Sequence, residues 1–484
     1  MFEKKKRAIS AAGKHFVGKT ILSTLCSMKQ RMYLPVLIAL VIISRLPLIV
    51  NGYGTDGDAW RVALTAQTLW ETGTYEMSRF PGYPLYEFIQ APLIVLGGSA
   101  GANAASVLVF IASLFLFRKL LVRWNIPNTD ITLFAYAFLP ILWKNSSVTM
   151  DYVWGMCGLL FSLLLLLERR VLFAGIVLGL SAGIRSTNII YLLPLLLAAD
   201  WNKKRPPLLL VSSAVLTAVL CYLPVFFSPD FSAMMNEFFG RMNERSLLMS
   251  AGLIVYRFLF TLGLPGWGCI LVIVWVNRAS ISSRRQSEQM RISLAVITAC
   301  VLMFILLPDE REYLIPCLPF LLIVIAMIAG RIQLTVTAAA LISYAFVSVD
   351  IVDHHFGSPK LQWSLPAGIV LKEYSGREEL RQQKSTLAAT SIPDSSVVMI
   401  GLGPVFWMEN PMVQRSPEME KRFQQECSRS VSGNERYFIY ALKKAQLDEL
   451  RMKGYRIYYW ERMGGYLNTF IGYTLADEHV LPVR

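Results

Sequence analysis

The chain reads as a polytopic α-helical membrane protein of about eleven spans, with a small α/β domain outside the membrane at its C-terminal end. Three observations lead there. Apolar runs of about 18 residues or more recur from residue 32 onward, long enough for helices to cross a hydrocarbon core. Of the 484 residues, 54% are hydrophobic and 17% charged, with a mean hydropathy of +0.46, which is too little charge for a soluble chain of this size. Lys and Arg gather in short segments between alternate runs, as cytoplasmic loops require. That placement accounts for the net charge of +14 and argues against nucleic acid as a partner.

Residues 1–31 carry Lys4, Lys5, Lys6, Arg7, Lys14, Lys19, Lys29 and Arg31 without a cleavage pattern, and are expected to form a cytoplasmic basic tail. Residues 32–350 form the membrane module. Its first span covers residues 32–50, and an outer loop follows at 51–83. That loop carries Asp56, Asp58, Glu71 and Glu76 against Arg61 and Arg79. Residues 85–97 are apolar but interrupted by Glu87, Pro92 and Gly97, and too short to cross, so they are expected to lie at the outer surface. Further spans are expected at residues 102–122, 131–143, 151–169, 171–183, 188–199, 208–227, 251–277, 292–307, 313–329 and 332–349. Basic residues then fall inside at nearly every turn, with Lys144 and Arg185 as exceptions, and the N-terminus is cytoplasmic.

Residues 351–484 are extracytoplasmic in this topology. Residues 360–388 are charged and helix-like, 396–400, 437–442 and 456–460 have strand composition, and 443–453 have helical spacing. The seven cysteines, Cys26, Cys157, Cys221, Cys269, Cys300, Cys317 and Cys427, form no CxxC spacing, which argues against a thiolate metal site. His354 and His355 beside Asp350 and Asp353 lack the residues to complete one, and a polar turn is the better reading.

The chemistry is expected in the outer loop. A carboxylate at the end of a span can deprotonate an acceptor hydroxyl or stabilise an oxocarbenium-like transition state. Gly52, Gly54 and Gly57 around Asp56 and Asp58 permit close approach of a substrate. Equally, Asp58 can simply cap the helix that follows it. Arg185 and Arg311 lie at the membrane edge on the same side, where a guanidinium can clamp a phosphate. Each also has a structural alternative: Asp151 as a partner for Arg185, and Glu310 or Glu312 for Arg311. Asp151 can contact substrate or cap the span that it begins.

The run Asp56–Tyr75, D-G-D-A-W-R-V-A-L-T-A-Q-T-L-W-E-T-G-T-Y, resembles the first outer loop of GT-C superfamily glycosyltransferases. Among these are the protein O-mannosyltransferases and the lipid A aminoarabinose transferase. They carry an acidic pair followed by a surface helix ending in glycine, and here Gly73 follows Asp58 by fifteen residues. Asp-Gly-Asp stands where the family has Asp-Glu. Pro81-Gly-Tyr-Pro-Leu-Tyr is similar to the step into the second surface helix, and Gly179-Leu-Ser-Ala-Gly-Ile-Arg-Ser-Thr to a glycine-rich span ending in a basic residue. Pro308-Asp-Glu-Arg-Glu-Tyr-Leu-Ile-Pro-Cys-Leu-Pro resembles an Arg-aromatic segment closest to mannosyltransferases, in which a His usually precedes; Pro308 or Asp309 stands there.

The resemblance implies an inverting enzyme that moves a sugar from a polyprenyl-phosphate donor to a glycan, lipid or protein acceptor. It implies a place in a prokaryotic plasma membrane, with the reaction at the outer face. It makes Asp58 the catalytic carboxylate with Asp56 assisting, and Arg61, Arg79, Tyr83, Asp151, Arg185, Glu310 and Arg311 the substrate-binding set. The donor is already activated by its phosphate, so no cofactor is required in principle, although a divalent metal is compatible. Two rival classes are a glycan polymerase or ligase working through arginine, and a lipid-linked glycan flippase. A flippase would carry charge near the middle of its spans, and these spans read as clean.

Overall fold

The computed structural model describes residues 32–199, 205–228, 247–352, 360–364 and 368–389, with shorter pieces between 231 and 239 and beyond 396. The expected basic tail, the turn at His354 and His355, and most of the expected helix at 443–453 lie outside the described residues.

Helix α1, Met32–Ile49, buries Leu37, Val41 and Leu48 along one stripe and exposes Val36, Leu40, Ile43 and Leu46 on the other. An apolar stripe on the outside as well as the inside is stable only against lipid. The same holds for Leu208, Leu216 and Val219 on α9, Arg205–Phe226, and for Leu271 and Trp275 on α10, Leu247–Val276. The chain is therefore a helical membrane protein.

Between these helices lie α2, Gly57–Thr72, and α3, Pro84–Arg123, then α4, Thr129–Phe138, and α5, Pro140–Asn145. Next come α6, Tyr152–Leu167, α7, Val171–Ile184, and α8, Leu192–Leu196, the last preceded by a 3-10 turn, Ser186–Tyr191. After α10 follow α11, Arg278–Arg284, α12, Glu288–Leu306, a second 3-10 turn, Arg311–Cys317, α13, Leu318–Ile328, and α14, Arg331–Ser343.

Helix α3 is two limbs: Gly98 breaks it with φ 57° and ψ −150°, a conformation open to glycine. The limb before the break is the expected outer-surface helix, and the limb after it the expected span. Helices α7 and α9 meet along glycines. A Cβ at Gly175, Gly179 or Gly183 would come within 1.9 Å of Ser213 Oγ, 2.5 Å of Thr217 Cβ or 2.5 Å of Cys221 Cβ. Small residues at every fourth position let two membrane helices touch backbone to backbone.

Among the described residues, six segments are long and apolar enough to cross a membrane, against the eleven or so expected: α1, α3, α9, Ser250–Val276, α12 and Arg311–Ile328. Four apolar helical segments are shorter: α6, α7, Ser186–Leu196 and α14. The expected span at 131–143 is broken at Leu139, where Pro140 begins α5. The segment expected at 188–199 is a 3-10 turn and five residues of helix. That expected at 332–349 stops at Ser343, and strand β1 begins at Ser348.

Helix ends assigned to one side meet each other. Tyr33 Oη donates to Asp130 O at 2.6 Å, Arg331 Nη2 to Asp130 Oδ2 at 2.8 Å, and Lys119 Nζ lies 2.6 Å from Glu168 Oε1. The opposite ends gather residues 48–58, 79, 144–151, 185 and 310–312.

Beyond the bundle, β1, Ser348–Val352, pairs antiparallel with β2, Lys360–Ser364. Helix α15, Ile369–Ala389, follows. Four parallel strands, β3, Ser396–Met399, β4, Arg436–Ile439, β5, Arg456–Trp460, and β6, His479–Leu481, stand in the order β4-β3-β5-β6.

Candidate functional site

Asp56, not Asp58, caps α2: its Oδ1 accepts Asp58 N at 2.9 Å, while Gly73 ends the helix in the left-handed region at φ 70°. Gly57 takes the first helical position, so Asp58 falls in the first turn with its carboxylate partly exposed. Burial, with the Asp58 charge beside it, pushes the Asp56 carboxyl up from the usual range. The two aspartates are thus divided, one holding the backbone and one facing outward.

Arg79 lies between two acids. Its Nε is 3.4 Å from Asp58 Oδ2, and its Nη2 donates to Asp151 Oδ1 at 2.6 Å. Its Nη1 is buried with no partner among the described residues, and the guanidinium stacks 4.1 Å from the Tyr83 ring centre. Arg79 is aimed by a tight turn in which Gly82 N donates to Arg79 O at 2.7 Å. Gly82 has φ 87°, and a Cβ there would come 2.8 Å from Val225 Cγ2, so both conformation and space demand glycine. Glu87, fully buried, holds the rest of the turn by accepting Tyr75 Oη at 2.5 Å, Ser78 N at 3.1 Å and Tyr83 N at 3.4 Å. In the sequence alone Glu87 is only an interruption of an apolar run. A lone acid one turn into an apolar surface helix was the signal.

Asp151 stands at the start of α6 but makes no side-chain cap. Its second oxygen accepts Arg185 Nη1 at 2.6 Å, and the Arg185 guanidinium lies 4.1 Å and 4.7 Å from the Tyr152 and Tyr313 ring centres. One fully buried carboxylate therefore binds two guanidiniums. Arg185 has Asp151 as its structural partner, and Arg79 keeps the donor that is unfilled among the described residues.

Arg61 reaches Asp58 from the next turn at 3.6 Å and is half exposed. Arg311 Nε lies 3.6 Å from Glu312 Oε1, which also faces Lys144 Nζ at 3.2 Å. Glu312 and Lys144 were not among the expected site residues. Glu310 is pushed well up from its ordinary value by burial and by Asp56 and Glu312, and its Oε2 is buried with no partner among the described residues. Among the described residues, no group of three or more His, Cys, Asp and Glu side chains is placed to hold a metal ion.

The spans are not clean of charge. Arg45 in α1 is fully buried, with Nε donating to Ser146 Oγ at 3.2 Å and the guanidinium within 5.3 Å of the ring centres of Phe110, Phe138 and Trp143. One arginine in an apolar run is averaged away in a hydropathy window, and apart from Ser44 its partners lie far along the chain.

Fold and site together define a polytopic helical membrane protein with a dense charged cluster at one end of its bundle. No family model matches the chain, and no curated protein does. Among solved structures it is similar to the crystal structure of the Archaeoglobus fulgidus oligosaccharyltransferase tethered with an acceptor peptide containing the NVT sequon via a disulfide bond, with a TM-score of 0.41 and 11% identity. The match covers 94% of this chain, which spans 64% of that one.

Proposed function

We propose that the chain is a GT-C type glycosyltransferase that moves a sugar from a polyprenyl-phosphate donor to an acceptor hydroxyl at the outer face of a prokaryotic plasma membrane, its N-terminus cytoplasmic. The observation that carries this reading is Arg79, whose Nε faces the partly exposed carboxylate of Asp58 and whose buried Nη1 has no partner among the described residues. A base and an anion clamp side by side are what an inverting transfer needs.

In the reaction, Asp58 takes the acceptor proton as the acceptor oxygen attacks the anomeric carbon. The bond from that carbon to the phosphate oxygen breaks with inversion, and polyprenyl phosphate leaves with the electron pair. Arg79 Nη1 meets the charge that develops on the phosphate. Arg61, Arg79, Lys144, Arg185 and Arg311 gather at this end of the bundle, and burial pushes the carboxyls of Asp56 and Glu310 up from their usual range, which eases the approach of an anionic donor. Tyr83 braces Arg79, and Asp151 with Arg185 fixes its direction. Arg45 does not support a flippase, because its charge is enclosed by groups of its own bundle rather than placed along a path.

The test is transfer from radiolabelled polyprenyl-phosphate sugars in membranes carrying wild type or Asp58→Asn. A normally folded Asp58→Asn protein is expected to lose about 10²- to 10⁴-fold in rate. Undiminished transfer would remove Asp58 from the chemistry, and wild type inert toward every such donor would sink the reaction class.

A further inference from the structure

Between Leu48 and Thr55, just before the cap of α2, five carbonyls and one amide are engaged by groups outside this segment. Asn103 Nδ2 donates to Ile49 O at 3.1 Å and Gly52 O at 2.8 Å. Thr149 N donates to Tyr53 O at 3.0 Å, and Trp60 Nε1 to Gly54 O at 2.8 Å. The remaining bonds come from α15, beyond the last helix of the bundle. Arg377 Nη1 donates to Leu48 O and, at 3.2 Å, to Gly52 O, while Nη2 donates to Ser147 O at 2.9 Å. Glu373 accepts Thr55 N at 3.0 Å and Thr55 Oγ1 at 2.5 Å, and Arg377 Nε at 2.7 Å.

Both side chains are 2% exposed. Burying an ion pair is costly unless its remaining donors and acceptors are filled, and these are filled by the loop and by Ser147 O. Burial opposes ionisation of Glu373, yet Arg377 and Lys144 beside it hold its carboxyl below the usual range. The helix is pinned to this place: Ile369 N donates to Tyr344 O at 3.2 Å, and a Cβ on Gly376 would come 2.7 Å from Thr55 Cγ2. Thr55 is the chain neighbour of Asp56, so the grip of Glu373 on Thr55 sets where α2 begins and where Asp58 points.

We infer that Glu373 and Arg377 are positioning residues, through which the segment beyond the membrane bundle holds the Asp56–Asp58 loop in its reactive place. The catalytic consequence rests on the transfer reaction proposed above; the holding itself does not. The test uses the full chain in lipid nanodiscs, with Arg377→Lys, Glu373→Gln and, as control, Arg381→Ala on the exposed side of α15. Lysine keeps the charge but cannot reach three carbonyls at once.

Two quantities are read: amide hydrogen exchange over residues 49–58, and kcat and KM for a polyprenyl-phosphate sugar. Arg377→Lys and Glu373→Gln are expected to speed exchange in 49–58 and to lower kcat about a hundredfold, with donor KM changed less than about twofold. Arg381→Ala is expected to match wild type. Loss of folded protein alone would lower the active fraction without opening this one segment. If the buried variants do not fold, Thr55→Val, which removes a single donor, is expected to lower kcat about three- to tenfold. Wild-type exchange over 49–58 in the variants that fold overturns the inference, as does wild-type kcat in a variant whose loop has opened. If wild type turns over no such donor, the proposed reaction fails, while exchange still decides whether the pair holds the loop.

Discussion

At the scale of the residue, the informative side chains are those that touch two others. Asp151 binds both Arg79 and Arg185, Arg79 binds both Asp58 and Asp151, and Glu87 ties Tyr75 to the turn at Ser78. Acids and arginines beside membrane spans are conspicuous in a sequence, so Asp58, Arg79, Asp151 and Arg185 were legible as a set. Who pairs with whom was not, because both aspartates of Asp-Gly-Asp are competent caps, and only the backbone at Gly57 decides between them. Glu310 carries a testable consequence. In the folded chain it keeps its proton to higher pH than when unfolded, so the folded state binds more protons above about pH 4.3, and stability falls as pH rises through that window. Glu310→Gln removes this titration. Thermal midpoints of the variant and wild type in detergent are expected to lie close at about pH 5 and to separate, with the variant higher, by about pH 8.

At the scale of the element, the bundle departs from its hydropathy where helices break. A window average cannot see that Pro140 divides one apolar run, whereas Glu87, Pro92 and Gly97 do mark the two limbs of α3 that Gly98 separates. It does see α1, α9 and α12, whose apolar surfaces are continuous. The glycines of α7 were legible as a pattern, but their partners on α9 were not, since contact between helices is not written in either helix alone. Gly179→Ala places a methyl group 2.5 Å from Thr217 Cβ and is expected to cost about 1–3 kcal/mol. Gly252→Ala, where nothing stands within 4 Å, is expected to stay within about 0.5 kcal/mol of wild type. Thermal melts of the two variants side by side check this. Glu373 and Arg377 were missed for a related reason: in a charged helix, an acid and a base four residues apart read as a solvated pair.

At the scale of the whole molecule, the two ends of the bundle are chemically distinct, and the contacts among helix ends agree with an alternating path through the membrane. The basic loops support the proposal that the end holding Asp130 and Glu168 faces the cytoplasm, and labelling can check it. Thr74→Cys, exposed after α2, is expected to react with a membrane-impermeant maleimide in intact cells; Ser283→Cys, exposed in α11, is expected to react only after permeabilisation. Labelling of both from outside would reverse or dissolve the topology. The loop before Asp56 has a consequence for descent as well as for chemistry. Its shape is enforced through carbonyls, which every residue type supplies alike, so substitutions at Asn51 or Val50 should drift freely among relatives. Asn103, Thr149, Glu373 and Arg377, scattered over nearly three hundred positions, should instead change rarely and together. The memory of this site would then be kept mostly outside the loop that performs it.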